Sequence, residues 1–411
     1  MRVLVIGSGG REHALIRSLA QDPDVTALHC APGNAGTSAM ADNHVLDPTD
    51  RVAVVELAQR LGIGLVVIGP ELPLVHGVAD AVRQAGILCF GPDRAAAEIE
   101  GSKAFAKEVM ADAGVPTAAA RVCDSSGDVS DALDEFGPPY VVKDDGLAAG
   151  KGVVVTEDRE AAERHAEECD RVVVEQYLDG PEISVFALTD GSTVVPLMPA
   201  QDFKRAYDGD EGPNTGGMGA YTPLPWAPPD LAAEVVSTVI QPTIDELRRR
   251  ETPYVGVLYA GLVLTADGPR VIEFNARFGD PETQVVLDRL ATPLSGLLEA
   301  CAVGGLGSVP PIEWRPGAAV TVVIAAENYP GAPKTGDPIA GIEEAEQVEG
   351  VYVLHAGTKT HRGLPVSGGG RVLNVVGTGP DVATARSRAY EAAGRIRLRG
   401  SHYRTDIAAR G

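Results

Sequence analysis

Up to about residue 100 this chain alternates short apolar runs with amphipathic stretches, a pattern that admits few architectures. Residues 2–6, 27–30, 65–68 and 87–90 read as strands, and residues 11–20, 52–61 and 75–85 as helices between them. Strands separated by helices require a parallel sheet with helices packed on both faces. Near residue 100 the texture changes. Residues 102–113 read as a helix capped by Ser102 and stopped by Gly114 and Pro116. Hairpins follow: residues 140–143 with 152–156, 172–175 with 183–188, and 255–264 with 270–274 across Ala266-Asp267-Gly268-Pro269. A polar, glycine-rich stretch over residues 201–221 is too long for a simple connection and reads as a lid or mobile binding loop. After Gly304-Gly305 and the Pro310-Pro311 break come strands near 318–325, 351–355 and 371–376, then a helix over 381–396. The expected class is multidomain, α/β at the N-terminus and α+β beyond it.

The 411 residues leave room for about two to four domains at roughly 100–200 residues each. With 35 basic and 57 acidic side chains the formal charge is −22. That balance repels phosphate backbones and anionic headgroups, and no basic run offsets it, so neither nucleic-acid nor membrane partners are expected. The N-terminus lacks a basic leader with a cleavage site, and no apolar run reaches about 20 residues, which predicts a cytoplasmic protein. Cys30, Cys89, Cys123, Cys169 and Cys301 are widely spaced without a CxxC pair. They read as small buried apolar residues, not disulfide or zinc ligands.

Arginine carries most of the positive charge. The only lysines are Lys103, Lys107, Lys143, Lys151, Lys204, Lys334 and Lys359, and five of these seven lie between 103 and 204. A compact, movable ammonium kept against an arginine background points to a phosphate site in that interval. Lys107 and Lys334 read as background.

Several segments carry chemistry. The first strand ends in Gly7-Ser8-Gly9-Gly10-Arg11-Glu12, where free backbone N–H groups and a helix N-terminus suit an anion. The dinucleotide fingerprint needs a third glycine where Glu12 stands, which weakens a nicotinamide reading, and a capping turn without ligand also fits. The loops Pro32-Gly33-Asn34-Ala35-Gly36 and Gly69-Pro70-Glu71 follow two further strands and so reach the same carboxyl edge of the sheet. The hairpin tip from Lys143 to Gly152 is not a Walker A loop, because Gly152 follows Lys151 and a strand replaces the helix. Bracketed by lysines, it can close over a polyphosphate. Residues 172–178 run from a strand into a turn whose backbone could meet an adenine edge, although a plain buried strand fits equally well.

In Val271-Ile272-Glu273-Phe274-Asn275-Ala276, strand alternation puts Glu273 and Asn275 on one face and Ile272, Phe274 and Ala276 on the other. A carboxylate beside an amide oxygen suits a hard cation that shares its remaining ligands with phosphates. Arg277, Asp280 and Glu282 follow at once, and an arginine there can steady a transferring phosphoryl group, with a structural ion-pair turn as the alternative. In the 201–221 stretch, Asp202 can accept from a substrate amine and Lys204 can meet a phosphate.

Taken together, GSGGREHAL, PGNAG, GPELPLV, GLAAGKGV, QDFKRAYDGDEGPNTGGMGAY, EFNARFGDPETQ and HAGT stand in the order seen in phosphoribosylamine–glycine ligases, and the chain resembles that family over essentially its whole length. The resemblance implies an ATP-grasp fold. It would comprise a Rossmann-like pre-ATP-grasp domain (1–101), an ATP-grasp domain (102–305, its lid about 115–190) and a C-terminal β-rich domain (306–411). It implies ATP-dependent joining of glycine to 5-phosphoribosylamine through glycyl phosphate by a monomer using Mg²⁺ or Mn²⁺. By the same resemblance Glu273 and Asn275 hold the metal, and Lys103, Lys143, Gly150, Lys151 and Gly152 meet the ATP phosphates. Glu175, Gln176, Tyr177 and Leu178 border adenine, and Glu182 holds ribose. Arg277, Lys204 and Asp202 serve the chemistry. Gly9, Gly10, Arg11, Glu12, Asn34, Pro70, Glu71 and Asp280 face phosphoribosylamine. The family usually carries Ala at the place of Asp144 and Glu at the places of Gln176 and Pro181. A nicotinamide-dependent dehydrogenase and a related ligase using bicarbonate or formate remain the rival readings at this stage.

Overall fold

The computed structural model describes residues 1–147 and 152–411. A parallel five-stranded sheet opens the chain, in the order Asp42–Asn43, Ala27–Pro32, Arg2–Gly7, Leu65–Ile68, Leu88–Phe90. Residues 3–6 and 65–68 of its central strands are apolar and buried without a break because both faces are covered. Leu4 and Ile6 pack with Val54 and Leu57 of the helix Arg51–Leu61, whereas Val3 and Val5 pack with Leu15 and Leu19 of the helix Gly10–Ala20. The chain winds outward on one side of Arg2–Gly7 and then on the other, which leaves a crevice beyond the carboxyl ends of Arg2–Gly7 and Leu65–Ile68. Residues 75–85 are not one helix. They fall into Glu71–Val75 and Val78–Gln84, separated at Gly77, whose φ of +75° no helix accommodates.

Next comes an antiparallel sheet in the order Ala120–Cys123, Val172–Glu175, Tyr140–Asp144, Val153–Thr156. With the helices Ser126–Phe136 and Arg159–Glu167 it encloses a small core of its own, containing Val129, Leu133, Val142, Ala162 and Val174. The expected pairing of 172–175 with 183–188 does not occur. Val172–Glu175 lies between Ala120–Cys123 and Tyr140–Asp144, whereas Glu182–Asp190 joins a second antiparallel sheet with Val194–Pro196, Val255–Thr265 and Gly268–Asn275. The connection passes close over Leu264 at Gly180, with φ +146°, where a Cβ would lie 2.4 Å from the Leu264 carbonyl oxygen.

The strict alternation expected along Gly268–Asn275 is also interrupted. A bulge between Gly261 and Leu262 of the partner register shifts the pairing, so Val271 and Phe274 both enter the core while Ile272 faces the cleft. The stretch 201–221 is built into strands. Gln201–Asp202 and Gly219–Thr222 extend the C-terminal sheet of Ala318–Ala325, Arg371–Gly379 and Val351–His355, and Met218 and Ala206 are buried. Arg404, buried near the chain's end, holds the stretch by donating to Asp210 Oδ1 and the Arg205 carbonyl. The helix Val382–Ala393, capped by Asp381, covers that sheet. All five cysteines are free, four of them buried. Among the described residues no helix is long and apolar enough to cross a membrane.

Candidate active site

A cleft opens where the helix Lys103–Ala113, the ends of Tyr140–Asp144 and Val172–Glu175, and the strand Gly268–Asn275 converge. Ser102 caps the helix by accepting from Phe105 N at 3.1 Å, and its hydroxyl donates to Asp145 Oδ1 at 3.0 Å, which also accepts from Ala104 N. Asp145 therefore ties the helix to the hairpin and sets Lys103, whose Nζ donates to the Gly146 carbonyl at 2.9 Å. Burial lowers the Lys103 pKa, with Glu273 across the cleft opposing the shift. Lys143 is buried, ion-pairs with Glu175 Oε2 at 3.0 Å and donates to the Ile272 carbonyl at 2.7 Å. Gly152 lines the cleft, whereas Gly150 and Lys151 lie outside the described residues. Gln176 and Tyr177 are exposed, Leu178 is half-buried, and Gln176 N donates to the Ala119 carbonyl at 2.9 Å.

Glu273 and Asn275 both line this cleft. Gly261 stands opposite Glu273, and a Cβ there would come within 2.9 Å of Glu273 Cγ, so a glycine gives the carboxylate its room. No cluster of three or more His, Cys, Asp or Glu side chains suited to a metal exists among the described residues. One carboxylate and one amide oxygen instead fit a cation that completes its shell with phosphate oxygens and water. Arg277 runs along the floor. It donates to Asn275 Oδ1 at 2.9 Å and pairs with Glu100 at 3.1 Å, and its buried Nε faces Glu71 Oε2 at 3.4 Å. Burial opposes the charge on Arg277, but Glu100 and Glu71 raise its pKa. Burial also opposes ionisation of Glu71, yet Arg277 and Arg11 hold its carboxyl below the usual carboxylate range.

A second polar cluster adjoins the strand Gly268–Asn275. Lys204 Nζ lies 3.0 Å from Glu182 Oε2 and 3.1 Å from Asp202 Oδ1. Burial alone would lower the Lys204 pKa, but Asp202 and Glu182, with a contribution from Glu273, raise it well above the ordinary value. Lys204 in turn lowers the pKa of Glu182. Ser184 Oγ bridges Asp202 and Glu282 at 3.4 Å each, and Tyr259 Oη donates to Glu282 Oε1 at 2.8 Å. Burial and the charge of Asp202 push the Glu282 carboxyl up to about 7. The sequence offers Glu282 only as a member of the turn after Arg277 and gives no sign of Ser184 or Tyr259, and the Ser184–Glu282 contact spans 98 residues.

The wall from the first sheet is more varied. Pro70 caps the helix that begins with Glu71, and Arg11 donates from Nη1 to the Phe278 carbonyl at 3.0 Å. Asp280 sits at a three-way junction, accepting from Arg11 N at 3.3 Å and Gln284 at 2.9 Å and lying 3.5 Å from Arg371. Glu12 and Asn34 do not present their polar atoms to the cleft. Glu12 is 1% exposed and accepts from Gly9 N and Arg11 Nε, filling space that Gly7 and Gly69 leave: a Cβ on Gly69 would stand 2.1 Å from its Oε1. Asn34 donates to the Ser8 and His355 carbonyls at 2.9 Å and accepts from Gly36 N and Thr37 N. Gly10 is packed under Asn374 and Gln284.

Comparison with known proteins agrees with this arrangement. Residues 1–100 match the phosphoribosylglycinamide synthetase N domain, residues 101–283 its ATP-grasp (A) domain, and residues 319–410 its C domain. The phosphoribosylamine–glycine ligase of Streptomyces coelicolor is 66% identical, with 100% of this chain and 99% of that one covered. That of Mycobacterium tuberculosis H37Rv is 57% identical over 100% and 98% of the two chains. The crystal structure of phosphoribosylamine–glycine ligase from Thermotoga maritima superimposes with a TM-score of 0.85 at 34% identity, covering 99% of this chain and 100% of that one. Biotin carboxylase from Campylobacter jejuni, at 14% identity and a TM-score of 0.74 over 100% and 98% of the two chains, shares the fold alone. The fold is ATP-grasp, with an N-terminal and a C-terminal domain flanking the central one.

Proposed function

Because the chain belongs to the phosphoribosylamine–glycine ligase family, we infer that it joins glycine to 5-phosphoribosylamine at the expense of ATP. The products are glycinamide ribonucleotide, ADP and phosphate, in the second step of de novo purine synthesis. A glycine carboxylate is a poor electrophile. Its oxygen first takes the γ-phosphoryl group, giving glycyl phosphate, and the amine then attacks the carbonyl carbon and expels phosphate. Phosphoryl transfer of this kind depends on positioning and charge neutralisation more than on covalent chemistry by the protein.

The observation that carries the reading is the convergence of Lys103, Glu273, Asn275 and Arg277 on one cleft, two cations facing a cation-binding pair. Glu273 and Asn275 would hold Mg²⁺ or Mn²⁺, which when bound neutralises the β- and γ-phosphates. Lys103 and Lys143, with Gly150, Lys151 and Gly152, neutralise the rest of the polyphosphate. Residues 175–178 border adenine and Glu182 holds ribose. Arg277 receives the transferring phosphoryl group, and Asp202 and Lys204 handle glycine and its acyl phosphate. Gly9, Gly10, Arg11, Pro70, Glu71 and Asp280 border phosphoribosylamine, with Glu12 and Asn34 holding the turns that do so. Domains of 1–101, 102–305 and 306–411, with a lid of about 115–190, suit this division of labour, as the separate core of the second sheet supports. The enzyme acts as a cytoplasmic monomer on this reading. Coupled-enzyme detection of ADP tests it: ADP should form only when glycine and phosphoribosylamine are both supplied. ADP release indifferent to glycine, or supported by bicarbonate or formate, would overturn it.

A further inference from the structure

Glu175 is 3% exposed, and each of its carboxylate oxygens faces a different lysine. Lys143 Nζ stands 3.0 Å from Oε2 and Lys107 Nζ 3.3 Å from Oε1. An ammonium has three N–H donors. Two of Lys107's donors go to Thr117 Oγ1 at 2.9 Å and the Ala118 carbonyl at 3.0 Å, and the ammonium's remaining side faces Glu175. Lys143 donates to the Ile272 carbonyl and ion-pairs with Glu175, and among the described residues its third donor has no partner. Thr117 Oγ1 passes on to the Val271 carbonyl at 2.7 Å. Lys107 thus reaches two sides of the cleft at once: the segment that carries Glu175 and, through Thr117, the strand that carries Glu273 and Asn275.

We propose that Lys107 is a positioning residue for ATP, acting through Glu175 to keep the Lys143 ammonium available to the phosphates. With Lys107 present the charge of Glu175 is shared between two cations. Without it, both carboxylate oxygens compete for Lys143, draw its third donor inward and leave the polyphosphate short of one contact. Nothing in the lysine spacing of the sequence separates this role from background, because Glu175 is 68 residues further along the chain.

The inference rests on the ATP-site reading above, and calorimetry of the full-length protein with MgADP, together with steady-state kinetics, separates the two. Wild type that does not bind MgADP sinks the site reading itself. With wild type binding, Lys107→Met is expected to raise the MgADP Kd and the ATP KM about tenfold or more, the loss of one charge-assisted contact. The KM for glycine should stay within about twofold. Adding Glu175→Gln to Lys107→Met removes the competing carboxylate and should recover part of that loss, and Lys107→Arg, which still holds Oε1, should bind MgADP nearly as wild type does. Unchanged nucleotide affinity in Lys107→Met overturns the proposal, as do multiplying effects in the double variant or equal rises in both KM values. If Lys107→Met does not fold, Lys107→Arg and Glu175→Gln with their double variant carry the same comparison. There the arginine should matter only while the carboxylate is present, and an effect indifferent to Glu175 overturns the proposal.

Discussion

Acid should loosen the contact between the first and last domains, and two histidines set the size of the effect. His13, on the helix Gly10–Ala20, accepts at Nδ1 from His355 N at 2.8 Å, and the two rings lie 5.8 Å apart. Burial, with His355 nearby, lowers the His13 pKa to about 3, and burial lowers that of His355 to about 4. In an unfolded chain both titrate near 6.5, so between about pH 6.5 and 4 the unfolded state binds more protons. Stability is then fully present above pH 6.5 and falls as pH drops, by roughly 2 kcal/mol per histidine between pH 7 and pH 5. His13→Asn keeps an acceptor at nearly the same place but cannot titrate. Urea unfolding at both pH values should show the wild type losing about 2 kcal/mol more than the variant. The difference of differences matters, because His29 and His402, also shifted down by burial, contribute equally to both proteins. Identical acid losses in the two proteins would refute the reasoning.

Two further substitutions probe the site's construction. Gly69→Ala places a Cβ 2.1 Å from Glu12 Oε1 and should cost about 1–3 kcal/mol in denaturant unfolding, with a wild-type midpoint showing that Glu12 moves freely. Arg277→Met strands Glu71 and Glu100 without their shared cation, so a loss of about 3–5 kcal/mol of stability accompanies the loss of activity, and an inactive variant of undiminished stability would contradict the ion-pair geometry.

The first hundred residues were readable because a parallel sheet covered on both faces leaves uniform apolar runs, and helices between them keep their own period. Gly77 was invisible as a break, since its left-handed φ is a property of the backbone path and not of composition. The 172–175 and 183–188 strands are sequence neighbours with a turn between them, and only the close crossing at Gly180 separates them into two sheets. That Glu273 and Asn275 share one face was legible two residues apart, but the bulge that turns Ile272 into the cleft was not, because it depends on register with Gly261. Around Glu12 the glycines Gly7 and Gly69 make room for its own side chain, a packing relation that the glycine pattern alone does not reveal. The partners of Lys107, Glu282 and Asp280 lie tens to hundreds of residues away, and no local pattern encodes such pairings.

On the proposed reaction the glycine carboxylate is activated by phosphorylation in this cleft. Glycine labelled with ¹⁸O in its carboxylate, supplied with ATP and phosphoribosylamine, tests it by mass spectrometry of the released phosphate. An acyl phosphate route carries one carboxylate oxygen into phosphate at every turnover, so label should appear there in proportion to product. Unlabelled phosphate, with one labelled oxygen kept in the amide and the other lost to water, would contradict it.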